Sequence, residues 1–155
     1  MHDLLRSYAA ELTQRHDTDA DRTAALHRVY DHYLHTAHAA ARLLYPHHDS
    51  ITLPALSAAV TLEDLADVEQ AHAWFAAELG SLLGCIERAE ATGSLNRTWQ
   101  LAWATAIFLE RRGHWRDWIT IQHAALRTAR RLGDRGRRMR AYCHRSLARA
   151  HLWLF

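Results

Sequence analysis

The fold is decided by residues 95–133, which read LNRTWQLAWATAIFLERRGHWRDWITIQHAALRTARRLG. Two helical patterns, over residues 95–112 and 114–132, are separated by Gly113 and closed by Gly133, and Gly93 lies twenty residues before Gly113. Glycine adopts the left-handed conformation that follows a helix at little cost. The spacing therefore predicts helices of about 17–19 residues joined by very short turns, which places them as antiparallel hairpins.

Helical periodicity extends over most of the remaining chain. It predicts helices over residues 3–16, 21–44, 62–92 and 138–155. Residues 46–60 hold both prolines and have no period, so we interpret them as a linker loop. Runs of Val, Ile and Thr are nearly absent, whereas Ala and Leu, which favour helices, dominate. The chain is therefore predicted to be all-α.

Local signals indicate where two of these helices begin and where one is interrupted. The run from Thr18 to Asp21 offers an N-cap for the helix over residues 21–44. The Thr61–Asp64 segment resembles a capping box with Asp in place of Glu. Gly80 and Gly84 are expected to divide the stretch over residues 62–92 near residue 79, because glycine weakens a helix interior.

Large and small residues alternate on one face of each helix beside Gly113. The residues are Trp99, Ala102, Trp103, Ala106 and Leu109 before it, and Trp115, Trp118, Ile119, Ala125, Leu126 and Ala129 after it. Such alternation lets two helices interlock at close range. We therefore expect the four tryptophan rings to lie in the core.

This order of residues resembles the tetratricopeptide repeat. The family's small residue, glycine turn, aromatic residue and Ala-Leu pair are matched by Ala106, Gly113, Trp115, Ala125 and Leu126, and its Leu-Gly pair by Leu147 and Ala148. The resemblance implies a right-handed, tetratricopeptide-like stack. Its helices are lengthened, because Ala106 and Ala148 are 42 residues apart, against roughly 34 in the standard repeat. An irregular helical bundle is the alternative.

A second resemblance involves segments that together cover most of the chain. The run HDLLRSYAAEL at residues 2–12 is similar to the winged-helix end of the NB-ARC nucleotide-binding module in STAND-type signalling ATPases. It is especially similar to actinobacterial antibiotic regulatory proteins. Residues 31–49, 71–89 and 99–118 resemble the region beyond the winged helix in those regulators.

The second resemblance implies a non-catalytic protein–protein interaction module, the sensor or arm of a nucleotide-switched transcriptional regulator. Residues 1–45 then follow a missing winged helix, residues 46–60 form the linker, and residues 61–155 form repeats of which the last is incomplete. We expect the chain to be a truncated piece of such a regulator. A stand-alone adaptor is the alternative.

The same resemblance assigns His2 and Asp3 to the pair that holds a bound nucleoside diphosphate. The chain has no GxxxxGK[ST] loop to cradle phosphates. We therefore expect His2 and Asp3 to act only as helix-start residues, and we expect no cofactor and no ATP binding.

Charge is distributed unevenly along the chain. Residues 127–155 carry nine arginines and the single acid Asp134. An anionic-partner patch is possible at Arg127, Arg130, Arg131, Arg135, Arg137, Arg138 and Arg140. Nucleic-acid binding through this quarter is the alternative function. A solvated helix face explains the same charges without a partner, and the stretch lacks a helix-turn-helix or an aromatic stacking platform.

No motif for catalysis or metal binding emerges. The histidines at positions 27, 32, 35 and 38 do not form the i, i+4 pair of a zinc helix, and no HExxH or paired CxxC motif occurs. The acids Glu63, Asp64, Asp67 and Glu69 are expected to stabilise a helix start. Cys85 and Cys143 are expected to be buried free thiols. We predict neither an enzyme nor a metal site.

The sequence also indicates where the chain is located and what it binds. The N-terminal segment carries acids and is not a signal peptide, and no apolar run is long enough to span a membrane. We expect a soluble cytoplasmic protein that binds a protein partner or itself through exposed helical faces. Self-association is expected because the stripe of Leu147, Ala150 and Leu154, with Trp153, has no following helix to cover it.

Overall fold

The computed structural model describes residues 18–47 and 49–154, with the side chain of Leu154 excepted. Its regular structure consists of α1 (Asp19–Leu44), α2 (Val68–Ala91), α3 (Leu95–Arg112), α4 (Trp115–Arg131), a short 3₁₀ turn (Gly133–Gly136) and α5 (Arg137–Leu154). The described residues contain no β-strand, so the all-α prediction is confirmed. The helix predicted over residues 3–16 lies outside the described residues.

The three equally spaced glycines end helices as predicted. Gly93, Gly113 and Gly133 have φ angles of 73°, 72° and 59°, all in the left-handed region. At Gly113 the chain reverses tightly enough for the amide of His114 to donate to the carbonyl of Leu109 at 2.9 Å. The helices on either side of these glycines are therefore joined by short turns, and the hairpin prediction is confirmed.

The start of α1 is where the sequence indicated it, but the start of α2 is not. The Thr18 hydroxyl accepts from the Asp21 amide at 3.1 Å, and the Asp21 carboxylate accepts from the Thr18 amide, which completes a capping box. The prediction for the Thr61–Asp64 segment is wrong. α2 begins later, and the Asp67 carboxylate caps it by accepting from the Gln70 amide at 2.8 Å.

α2 is also continuous, which contradicts the predicted break. It passes through Gly80 and Gly84 as one helix of 24 residues. Its buried residues, among them Phe75, Leu82 and Ile86, pack against the neighbouring helices on both sides of the two glycines. This packing offsets the weakness of glycine within a helix.

The non-helical residues 45–47 and 49–67 form a longer stretch than the predicted linker. Two hydrogen bonds from distant helices hold it. The Thr61 carbonyl lies 2.6 Å from Nδ1 of His32 in α1, and the Thr52 carbonyl accepts from Nε2 of Gln100 in α3 at 2.7 Å. The segment is thus an ordered strap across the helices.

α3 is the helix on which the others are arranged. It packs against α1, α2 and α4, while α4 also packs against α2 and α5. This order of contacts is that of stacked helix hairpins; the handedness of the stack stays a prediction. Trp103 and Trp118 are buried as predicted, whereas Trp99 and Trp115 are only partly buried against the core.

Most residues that resemble the tetratricopeptide repeat have the burial that the resemblance implies. Ala106, Ala125, Leu126 and Leu147 are buried, whereas Ala148 is exposed. Within the described part of the chain, no helix is long and apolar enough to cross a lipid bilayer.

The predicted uncovered stripe on α5 is only partly present. Leu147 and Ala150 belong to the buried core, because α5 packs closely on α4, so the expectation was wrong for these two residues. Trp153 is 68% exposed and Leu152 is 82% exposed. The side chain of Leu154 lies outside the described residues.

We predict that Gly136→Ala lowers stability. A Cβ at this buried position would overlap the carbonyl oxygen of Ala129 in α4, so the backbone of the turn or of the helix must move. Overpacking of this kind costs about 1–3 kcal/mol. Thermal and urea unfolding measure the change.

Gly84→Ala is the matched control. Nothing lies within 4 Å of a Cβ added at Gly84. Alanine in a helix interior is more stable than glycine by about 0.5–1 kcal/mol, so this variant should unfold at a higher temperature than the wild type. Wild-type stability of Gly136→Ala would contradict the close approach of the turn to α4.

Candidate protein interface

The histidines of α1 do not converge on a common point. His32 bonds the strap, while the ring of His38 stacks on Trp103 with centroids 5.7 Å apart. Burial, with a contribution from the nearby Arg42, lowers the pKa of His38. In the part of the chain that the structure describes, no group of three or more His, Cys, Asp or Glu could hold a metal ion.

Both cysteines are free and buried, as the sequence predicted. Burial raises the pKa of Cys85 to about 11 and the pKa of Cys143 to about 12. A thiol must ionise to act as a nucleophile. Both groups are therefore inert at neutral pH.

The acidic residues around position 65 divide into two groups. Asp67 and Glu69 lie at the start of α2, as predicted, and Asp67 is its N-cap. Glu63 and Asp64 lie in the strap, so the prediction that they belong to the helix start is wrong. The positions of Asp67 and Glu69 are explained by their stabilisation of the start of α2, without a catalytic role.

Three arginines of the predicted anionic-partner patch are bonded within the chain. Arg127 binds Glu90, Arg137 binds Asp134 at 3.0 Å, and Arg140 donates to the backbone carbonyls of Ala129 and Gly133. Arg130, Arg131, Arg135 and Arg138 are exposed. The patch available to an anionic partner is therefore smaller than the sequence indicates.

A groove of about 600 Å³ lies between α2 and α4, and we call it the α2–α4 groove. Its apolar lining consists of Leu83, Ile86, Ile121 and Ala124, together with Gly80 and Gly84. The two glycines are one helical turn apart on the same face of α2. A Cβ added at either would meet nothing within 4 Å. The groove is open because α2 has no side chains at these two positions.

Charged residues surround this apolar floor. The acids are Glu87, Glu90 and Asp117, and the base is Arg127. Arg127 donates to both carboxylate oxygens of Glu90, at 2.7 and 2.9 Å. The hydrogen bond from Arg127 lowers the pKa of Glu90 and outweighs burial, which acts to raise it. Arg127 is paired with Glu90, and Asp117 lies 3.7 Å from Nδ1 of His114, a group that is charged only when protonated, so the rim retains negative charge from Glu87 and, while His114 is neutral, from Asp117.

Sequence reasoning identified Gly80 and Gly84 but interpreted them as a helix break. The signal for the groove was present in their spacing, since glycines at i and i+4 share one helix face. The opposite wall, including Ile121 and Ala124, could be assigned only once α2 and α4 were known to pack side by side. His2 and Asp3 lie outside the described residues.

Comparison of the chain with protein-family models, with curated proteins and with solved structures finds no match.

We predict that Arg127→Met lowers stability at pH 7 by up to about 1 kcal/mol, the range of exposed ion pairs. The pKa of Glu90 is lower in the folded chain, so its stabilisation is full above the unfolded pKa and is lost as pH falls through the folded pKa. The difference between variant and wild type should therefore shrink below about pH 4.

Chemical unfolding at pH 7 and at pH 3 measures this difference, and Arg130→Met is the control. Arg130 is exposed on the same helix and does not contact Glu90. A deficit in Arg127→Met that is equally large at pH 3 would show that the ion pair is not its cause.

Proposed function

We propose that the chain is a non-catalytic module that binds another protein through the α2–α4 groove. We further propose that it is the sensor or arm of a nucleotide-switched transcriptional regulator in the cytoplasm. The open glycine face of α2 carries the first proposal. The resemblance of residues 2–12, 31–49, 71–89 and 99–118 to STAND-type regulators supports the second.

No described residue approaches Gly80 or Gly84 of α2 closely enough to require glycine at either position. Each costs about 1 kcal/mol relative to alanine in a helix interior. Within a protein, such a cost is usually offset where another segment approaches the glycine closely. No described segment does so at Gly80 or Gly84, because the space above both is empty. A partner's backbone is the element that would use this approach.

The dimensions and charge of the groove indicate what kind of partner segment fits. Gly80 and Glu90 mark its ends on α2, a distance of about 15 Å at the rise of an α-helix. A partner helix of about three turns would cover this length. Apolar side chains on the partner would contact the partly buried Leu83 and the open backbone at Gly80 and Gly84, and a basic side chain would complement Glu87 and Asp117.

The test is photo-crosslinking in the producing cell, with benzoylphenylalanine placed at Thr120 or at His123. Both residues are exposed on α4, but only Thr120 lines the groove. We expect Thr120 to give a discrete adduct with a second protein, or with a second copy of this chain, and His123 to give none.

Gly84→Leu should abolish the adduct without loss of stability, because leucine favours a helix and enters open space. Ala73→Leu is the control, since Ala73 is exposed about three turns away on the same helix. An adduct that persists in Gly84→Leu would place the partner elsewhere, and equal adducts from both positions would argue against the groove.

Nucleic-acid binding is the alternative function, favoured by the exposure of Arg130, Arg131, Arg135 and Arg138. Fluorescence anisotropy with duplex DNA separates the two functions. The alternative is supported if the affinity for DNA falls steeply with salt concentration and this dependence is lost when the four arginines are replaced by serine. Under the proposed function, the same variant retains the Thr120 adduct.

A further inference from the structure

We propose that a second pocket, between the C-terminal end of α3 and the outer face of α5, binds a small planar aromatic anion such as an aromatic carboxylate. The pocket has a volume of about 430 Å³. Tyr45, Arg111, Trp115, Arg149 and Trp153 are among its lining residues. It shares no lining residue with the α2–α4 groove, so this proposal does not depend on the proposed function.

The pocket contains aromatic rings that contact one another. The rings of Trp115 and Trp153 stack with centroids 5.8 Å apart and planes within 5° of parallel. Trp153 remains 68% exposed in this arrangement. Tyr45, from the end of α1, lines the same pocket. Flat rings held by stacking favour a flat ligand, because offset stacking adds to the burial of apolar area.

The charges around these rings favour an anion. Arg149 forms an ion pair with Glu110, so that carboxylate is already neutralised. Arg111 lies over the Tyr45 ring, 5.6 Å from its centroid, and has no carboxylate partner among the described residues. A guanidinium carries its N–H donors in one plane and can bind a carboxylate through two hydrogen bonds.

The size of the pocket limits the ligand to a small molecule. Binding sites for small molecules and cofactors usually enclose about 300–1,000 Å³, and this pocket lies near the lower end of that range. A bicyclic aromatic acid fits the volume, the rings and the charge together. An aliphatic acid would not stack, and a neutral aromatic molecule would leave Arg111 without a partner.

The test is isothermal calorimetry of the full chain with 2-naphthoate as the probe. We expect saturable binding at one site. The neutral analogue 2-naphthalenemethanol should bind about tenfold more weakly, because a hydrogen bond to a charged group is lost. Cyclohexanecarboxylate, which keeps the charge but lacks the flat ring, should also bind about tenfold more weakly.

Two pairs of variants assign the site. Arg111→Gln should weaken 2-naphthoate binding about tenfold, whereas Arg112→Gln should not, since Arg112 is exposed and does not line the pocket. Trp153→Ala should weaken binding to a similar extent, whereas Leu152→Ala, at the exposed neighbouring position, should leave it unchanged. Circular dichroism verifies that each variant is folded.

Absence of binding at millimolar 2-naphthoate would overturn the proposal. So would binding that is equal for the acid and the alcohol, or binding that is unchanged in Arg111→Gln. If Trp153→Ala fails to fold, the pair Arg111→Gln and Arg112→Gln decides alone. The crosslink at Thr120 does not involve this pocket, so failure of one proposal leaves the other to its own test.

Discussion

The burial of the middle of α3 on all of its sides is the constraint on which the rest of the structure depends. Every residue from Gln100 to Ala106 is buried, and seven consecutive residues cover all faces of an α-helix. A helix covered on all sides must let its neighbours approach closely where they cross. Ala102, Ala104 and Ala106 provide that approach, while Leu101 and Trp103 fill the spaces between crossings. α1, α2 and α4 are placed by how they meet this surface, and α5 packs in turn on α4.

Polar contacts fix the position of α1 and the strap on this apolar helix. Arg97 in α3 donates from Nε and Nη2 to one carboxylate oxygen of Asp31 in α1, at 3.0 and 2.9 Å. The Asp31 side chain is only 8% exposed. Removal of Arg97 would leave a buried charge without a partner, at a cost of about 3–5 kcal/mol. This pair connects α1 to α3, and the Gln100–Thr52 hydrogen bond connects the strap to α3, so both add polar specificity to the apolar packing.

The parts of the fold that the sequence predicts correctly depend on local chemistry. Gly93, Gly113 and Gly133 end helices because of their own φ angles, and Thr18 caps α1 through a residue three positions away. The errors arise where contacts between residues far apart in the sequence determine the local structure. Thr61 has a local capping pattern, but its carbonyl bonds His32 in α1, so the chain remains in the strap and α2 begins later. The same limit applies to the candidate sites. Arg127 is one of many arginines in the sequence, and its role on the groove rim depends on Glu90, 37 residues away.

The two cavities differ in how firmly their walls are held. The α2–α4 groove lies between helices that both pack on the buried α3, so its shape is set before any partner arrives. The second pocket, which Trp115 and Trp153 line, instead lies among three helix ends. Tyr45 follows α1, Arg111 is in the last turn of α3, and Trp153 is near the end of α5. Across this pocket, α5 is tied to α3 by the exposed ion pair between Arg149 and Glu110, which contributes little by itself. A ligand that contacts all three ends binds only the docked arrangement, so it stabilises that arrangement in proportion to its own affinity. Under the proposed ligand binding, the end of α5 is therefore the part of the fold that the ligand would stabilise most directly.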